Sequence, residues 1–211
     1  MADTPQAPVN DARIRAFMPR DVDDCYEICL RTADNGADAT ALHTDPRIVG
    51  EVWVAPYLAR HPECAVVLED AEGVGGYIVG APDTSAYDEW VDGEWFVPLR
   101  ERYPLGSFPD GTADAACVNL IHRPPRMPPE ITAAYPAHLH IDLLPRLQGR
   151  GFGRAMMGAL FERVSAAGAP AIHLGCSPEN TSAIAFYRRL GFEDLMGGFL
   201  WGRSTDPLRS G

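Results

Sequence analysis

The stretch Leu139–Val164, LHIDLLPRLQGRGFGRAMMGALFERV, decides the reading of this chain. It opens as an alternating strand, His138–Leu144, breaks at Pro145-Arg146-Leu147, and continues through Gln148-Gly149-Arg150-Gly151-Phe152-Gly153 into an amphipathic helix predicted over Gly153–Ala167. Glycines let backbone N–H groups approach a ligand closely, and a helix N-terminus adds unpaired N–H groups and the positive end of its dipole. Arg146, Arg150 and Arg154 add formal positive charge to the same turn. The combination reads as a diphosphate cradle. A dinucleotide fingerprint fails in either register, because position 154 is Arg and position 156 is Met where Gly or Ala is required.

Downstream, PENTSAIAFYRRLGFEDL places Asn180 at the end of a strand-to-helix loop, after a strand predicted over Ala171–Cys176. Ala183, Phe186, Tyr187 and Leu190 lie along one side of a helix from Thr181 to Leu190, and Gly191-Phe192 ends it. Short strands follow at Phe192–Leu195 and Phe199–Trp201.

Upstream, Arg13–Phe17 is a first strand and Asp21 an N-cap for a helix to Thr32, with Asp23 and Asp24 in its first turn. Pro46 opens a second helix with Ile48, Val49, Val52, Trp53 and Tyr57 at helical spacing. Cys64–Glu69 and Val74–Gly80 form an antiparallel hairpin. Residues 82–136 read as a helical insertion, with helices at Ala86–Arg102, Ala113–His122 and Pro129–Tyr135, rather than a second domain. Its Tyr87, Trp90, Trp95 and Phe96 serve either as a lid or acceptor wall or as ordinary helix packing. One domain over 13–204 is expected, with a disordered lead-in at 1–12 and a tail at 205–211.

Composition narrows the chemistry. All 18 basic residues are Arg, so the Lys of a P-loop, of a protein kinase or of a Schiff-base enzyme is missing. Five scattered Cys without CxxC spacing argue for reduced thiols and no metal. The net charge of −11 disfavours nucleic acid. No apolar run reaches the roughly 18 residues of a membrane span, and no secretory leader is evident, so a cytoplasmic location is expected. Charge is uneven: residues 1–118 carry 22 acids and 8 Arg, while 119–211 carry 7 acids and 10 Arg. An anionic ligand is drawn to the second half and a cationic one to the first.

The paired motifs resemble those of the GNAT superfamily of acyl-CoA-dependent N-acetyltransferases. Gln148, Gly151 and Gly153 match its [Q/R]xxGx[G/A] signature, and Asn180, Tyr187 and Gly191-Phe192 match its second. TADNGADAT, PECAVVLEDAEGVGGYIVG and PPEITAAYPAHLHI are similar to segments of the C-terminal acetyltransferase-like domain of O-GlcNAcase and its free-standing bacterial relatives. The eukaryotic domain departs from the glycine loop, whereas this chain keeps it.

The resemblance implies an α/β (α+β) GNAT fold: a mixed, mostly antiparallel, V-splayed central sheet flanked by helices, with acetyl-CoA in the wedge. It implies pyrophosphate on the amides of Gly149, Arg150, Gly151, Phe152, Gly153 and Arg154, beside Gln148. Pantetheine would pair with the strand at Leu143 and Leu144, near Asn180, Ala183 and Tyr187, and the Leu143 N–H would polarise the thioester carbonyl. Tyr187 matches the usual general acid, a phenol protonated at neutral pH. His138, His140 and Asp142 share one strand face and are candidates for the base, or are structural. Asp34, Asn35 and Asp38 lie where relatives shape the acceptor pocket; they read either as an Asx-type turn or as carboxylates for a cationic acceptor. The expected activity is acetyl transfer to a primary amine of a small molecule or peptide, by a monomer or homodimer. The alternative is a non-catalytic acetyl-CoA-binding module for sensing or partner recognition.

Overall fold

The computed structural model describes residues 12–208. The lead-in expected at 1–12 therefore falls almost wholly outside the described residues, as do the last three residues of the tail.

The chain runs β1 (Arg13–Ala16), α1 (Val22–Leu30), α2 (Ile48–Trp53), α3 (Ala55–Arg60), β2 (Val66–Asp70), β3 (Gly73–Ala81), α4 (Thr84–Trp90), α5 (Phe96–Arg102), α6 (Ala113–His122) and α7 (Pro129–Ala134). It continues with β4 (Ala137–Leu143), α8 (Phe152–Ala166), β5 (Ala171–Gly175), α9 (Thr181–Arg189), β6 (Glu193–Asp194) and β7 (Leu200–Ser204). The strands form one seven-stranded sheet in the order β1-β2-β3-β4-β5-β7-β6, antiparallel at every step except β4–β5. This is the mixed, mostly antiparallel sheet expected.

Strand alternation divides the core in two. On one face Tyr77, Val79 and Ala81 pack under α1–α6; on the other Ile78, Leu139 and Ile172 pack under Met156, Met157, Leu160 and Phe161 of α8. The segment 82–136 packs into the first of these clusters. Its Tyr87, Phe96, Leu99, Val118 and Ile121 join the same cluster as Ile28 of α1 and Ile48 of α2. Tyr87 and Phe96 are thus core residues, and the Trp95 indole N–H donates to Glu51 O at 2.9 Å. The packing reading of these aromatics accounts for them.

Two local expectations are corrected. The helix opened at Pro46 is two helices, because Pro56 occupies the first turn of α3 and supplies no N–H for α2 to continue. Asp21 does sit at the N-cap position of α1, but its carboxylate makes no cap bond. It accepts instead from Arg15 Nη1 (2.6 Å), Arg15 Nη2 (2.8 Å) and Met18 N (2.8 Å). A bidentate guanidinium pair outcompetes a single amide for a carboxylate only 2% exposed.

Candidate active site

β4 and β5 begin as neighbours and then part. Their pairing comprises Ala137↔Ile172 and His138↔His173, after which β4 runs on for five residues without β5. On its other edge β4 stays paired to β3 through Leu143. Leu144 N–H donates to Gly75 O at 2.8 Å. In an antiparallel ladder the direction of main-chain groups alternates, so Leu139, Ile141 and Leu143 turn their N–H and C=O towards the gap. Of the two wedge amides expected, Leu143 faces the gap and Leu144 is committed to β3. Ile141 is a wedge-facing amide that the sequence reading missed.

The glycine turn closes the end of this gap. Gln148 Nε2 donates to Leu143 O at 2.7 Å, tying the turn back to the strand. Gly149 and Gly151 have φ of 70° and 84°, and Gly151 is the N-cap of α8. A side chain at either would be strained, although no described atom beyond the glycine and its chain neighbours lies within 4 Å of the position its Cβ would take. The turn faces open space. Gly153 serves packing instead, since a Cβ there would stand 3.1 Å from Phe186 Cζ and crowd that ring of α9. The first α-helical bond is Ala155 N to Gly151 O (3.3 Å), which leaves the amides of Phe152 and Gly153 directed out of the helix end.

The arginines divide. Arg146, expected in the cradle, turns to Asp70 with Nε 3.0 Å from Oδ2 and so braces the β2–β3 turn, holding that carboxyl below its usual range. Arg150 donates to Arg146 O at 3.1 Å and lies over the Phe152 ring, while Arg154 stands in the first turn of α8.

Asn180 Oδ1 accepts from Ala183 N at 3.0 Å and caps α9, leaving Nδ2 as its outward donor. A Cβ at Gly36 would lie 4.0 Å from that Nδ2, so the loop after α1 reaches across to α9. Asp34 and Ala37 exchange backbone hydrogen bonds of 3.1 and 2.8 Å around Asn35 (φ 50°) and Gly36 (φ 91°), the pattern of a tight Asn-Gly turn. Asp38 Oδ1 accepts from Thr40 N and Oγ1, and those bonds hold its carboxyl below the ordinary value. Tyr187 is 8% exposed, and burial, with Cys176 and Asp142 in electrostatic reach, raises its hydroxyl well above an ordinary phenol. It holds its proton throughout the neutral range.

His138, His140 and Asp142 do share one face of β4, but each is engaged differently. Thr84 Oγ1 donates to Pro136 O at 2.8 Å, so His138 Nδ1, also 2.8 Å from that oxygen, must be the donor between them. The His138 ring stacks on His173 at 5.7 Å and meets Tyr57 and Tyr87 edge-on. Burial and the neighbouring His173, His140 and His61 keep it well below its ordinary pKa. His140 lies between Trp53 (5.2 Å) and Tyr57 (5.9 Å), also lowered by burial. Asp142 accepts a hydrogen bond from Tyr77 OH; burial raises its carboxyl above the ordinary value, opposed by that bond and by His140. Tyr77 carried no signal in the sequence beyond its place in an apolar strand.

Among the described residues no group of three or more His, Cys, Asp or Glu is placed to hold a metal ion, and no helix is long and apolar enough to cross a membrane.

Residues 110–192 match the model of the acetyltransferase (GNAT) family. The crystal structure of SsHAT superposes with a TM-score of 0.85 at 41% identity, covering 92% of this chain and 98% of that one. A GNAT superfamily phosphinothricin acetyltransferase (Pat) from Sinorhizobium meliloti, solved in complex with AcCoA, gives a TM-score of 0.53 at 20% identity over 92% of this chain and 88% of that one, a likeness of fold alone. Protein O-GlcNAcase of Rattus norvegicus is 24% identical over 190 residues, 88% of this chain and 21% of that protein. The chain thus spans about a fifth of the length of the curated relatives it matches.

Proposed function

The chain belongs to the GNAT acetyltransferase family, and on that premise we propose that it transfers acetyl from acetyl-CoA directly to a primary amine of a small molecule or peptide. The observation that carries this is the parted strand: wedge-facing amides of β4 end at an open glycine turn and a helix N-terminus. That arrangement fits a thioester carried on a diphosphate. Phosphate oxygens would take the amides of residues 149–154, and Leu143 N–H would take the thioester oxygen as negative charge develops on it.

Asp142 is the base in this reading. It is the one carboxylate of the β4 trio, and its raised pKa brings it nearer the pH at which it must take a proton from an ammonium or from the attacking nitrogen. The amine nitrogen attacks the thioester carbon, the proton it loses passes to Asp142, and the C–S bond breaks. Tyr187 donates its proton to the departing thiolate. The turn holding Asp34, Asn35 and Asp38, whose Gly36 lies beside Asn180, would favour a cationic acceptor through its two carboxylates.

Two measurements test the proposal. Isothermal titration with acetyl-CoA is expected to show saturable heat. Thiol release from acetyl-CoA in the presence of primary amines, small and peptidic, is expected with at least one of them. Heat without thiol release across the amines would leave the non-catalytic module instead.

A further inference from the structure

The helical stretch of the insertion changes its winding midway. Between α4 and α5 the segment Val91–Trp95 is a π-turn, and Phe96 N–H bonds to Val91 O, five residues back. The cause is local: Pro98 has no N–H to give Glu94 O, and its ring crowds that carbonyl, so ordinary α winding is blocked here. The consequence falls on the side chains. Residues five apart stand about 140° apart round an α-helix, whereas an i→i+5 turn brings them to one side. Trp90 and Trp95 therefore meet, with ring centroids 5.9 Å apart.

Both indoles are half-buried, and with Pro98 and Leu99 they wall a recess of about 300 Å³. Packing accounts for where the rings stand and leaves this space open. Glu51 of α2 and Glu94 of the π-turn complete the wall, and among the described residues no basic side chain lines it. Glu51 is already offset, since Arg102 Nη1 lies 3.5 Å from its Oε1. The Glu94 carboxylate is exposed and has no hydrogen bond or ion pair among the described residues. It is the charge left for a ligand. Arg60 stands outside the lining with its Cζ 5.4 Å from the Trp90 ring, the same ring-to-cation attraction made within the chain.

We propose that this recess is a second ligand site, taking a small quaternary or N-alkylated ammonium ion against Trp90 and Trp95 with Glu94 as counter-charge. Aromatic rings attract such a cation through their quadrupole, and its alkyl shell gives up water readily. A hard metal ion is a poor match, because Trp offers no oxygen ligand and one free carboxylate leaves most of the coordination to water. The volume lies at the small end of ligand sites, which suits a single ammonium group. The recess is also distinct from the acetyl-transfer site. Two residues on from Glu51, on the opposite side of α2, Trp53 turns to His140 at 5.2 Å. The buried rings of Tyr57 and Tyr87, stacked at 4.6 Å, stand between His140 and Trp90.

The test uses choline as probe and 3,3-dimethylbutan-1-ol as its uncharged isostere, on the full chain without acetyl-CoA. The chain has four Trp, and their indole N–H signals are followed by ¹⁵N NMR and assigned through single Trp→Phe variants. Choline is expected to shift the Trp90 and Trp95 signals saturably, with a midpoint on the order of 1 mM, and to leave Trp53 and Trp201 in place. The alcohol should bind about tenfold more weakly. Trp90→Leu should weaken choline about tenfold and Glu94→Gln about threefold. Equal binding of the alcohol, no saturation by about 50 mM choline, or shifts confined to Trp53 would each overturn the proposal. Should Trp90→Leu fail to fold, Glu94→Gln and the alcohol still decide. With coenzyme absent, these outcomes are independent of whether the chain transfers acetyl.

Discussion

The two ends of β4 differ more than any two strands of the sheet. At Ala137 and His138 the strand has partners on both edges, its side chains reach Ile172 and His173, and its work is cohesion. From Leu139 to Leu143 one edge is bare, and there the carboxylate, the outward amides and the glycine turn accumulate. An unpaired strand edge is a liability in most sheets. On the proposed function the same unpaired groups become the recognition surface for the coenzyme, along a stretch, His140–Leu143, that is only half-buried.

That contrast can be broken by mutation. Gly151→Trp fills the open turn and forces a side chain onto φ 84°, and it is expected to weaken acetyl-CoA binding by about 1000-fold in calorimetry, while the backbone strain, about 1 kcal/mol, lowers the melting temperature by only about 3 °C. Near-normal affinity would remove the turn from the coenzyme site. Ile172→Ala, at the paired end and fully buried, is expected to cost about 3 kcal/mol in urea unfolding with little change in coenzyme affinity. Tyr187→Phe should slow turnover about 100-fold with the acetyl-CoA Kd within about twofold of wild type; equal rates would exclude its hydroxyl as the acid. Asn180→Ala removes the cap of α9 and should cost about 1 kcal/mol of stability, read in the same urea titrations.

The smallest expected effect is a gain. Asp142 titrates above its ordinary value in the fold, so the native state holds its proton more tightly than the unfolded chain does. The stability this confers is complete below the unfolded value of 3.8 and disappears as pH rises through the folded value. At neutral pH the wild type therefore carries an enclosed charge that Asp142→Asn does not. The variant should melt about 2 °C higher at pH 7, with the difference shrinking to nothing below the unfolded value, as scanning calorimetry over pH would read. No pH dependence of the difference would mean that the carboxyl is not strained by its burial.

Much of this was legible in one dimension. Alternation in His138–Leu144 announced a strand with two unlike faces, and QGRGFG ahead of an amphipathic run announced its turn and helix. The register Tyr77↔Asp142 was not legible, because the insertion at 82–136 separates the strands and nothing local fixes their offset. Nor was the fate of Arg146, whose position in the glycine motif suggested phosphate but whose guanidinium found Asp70 across the sheet. The aromatics of residues 87–96 admitted lid and core equally, since a helix face looks the same in sequence whichever surface it meets.

The sequence by itself determined the identities that allow left-handed backbone at 149 and 151, the absence of any lysine chemistry, and the sharing of one strand face by His138, His140 and Asp142. Tertiary structure decided where β4 loses its neighbour, which amides that exposes, and which oxygen of Asp142 is held. The reason is physical: backbone conformation and side-chain period are local properties of a chain, whereas edges, partners and proton affinity depend on what long-range folding brings alongside.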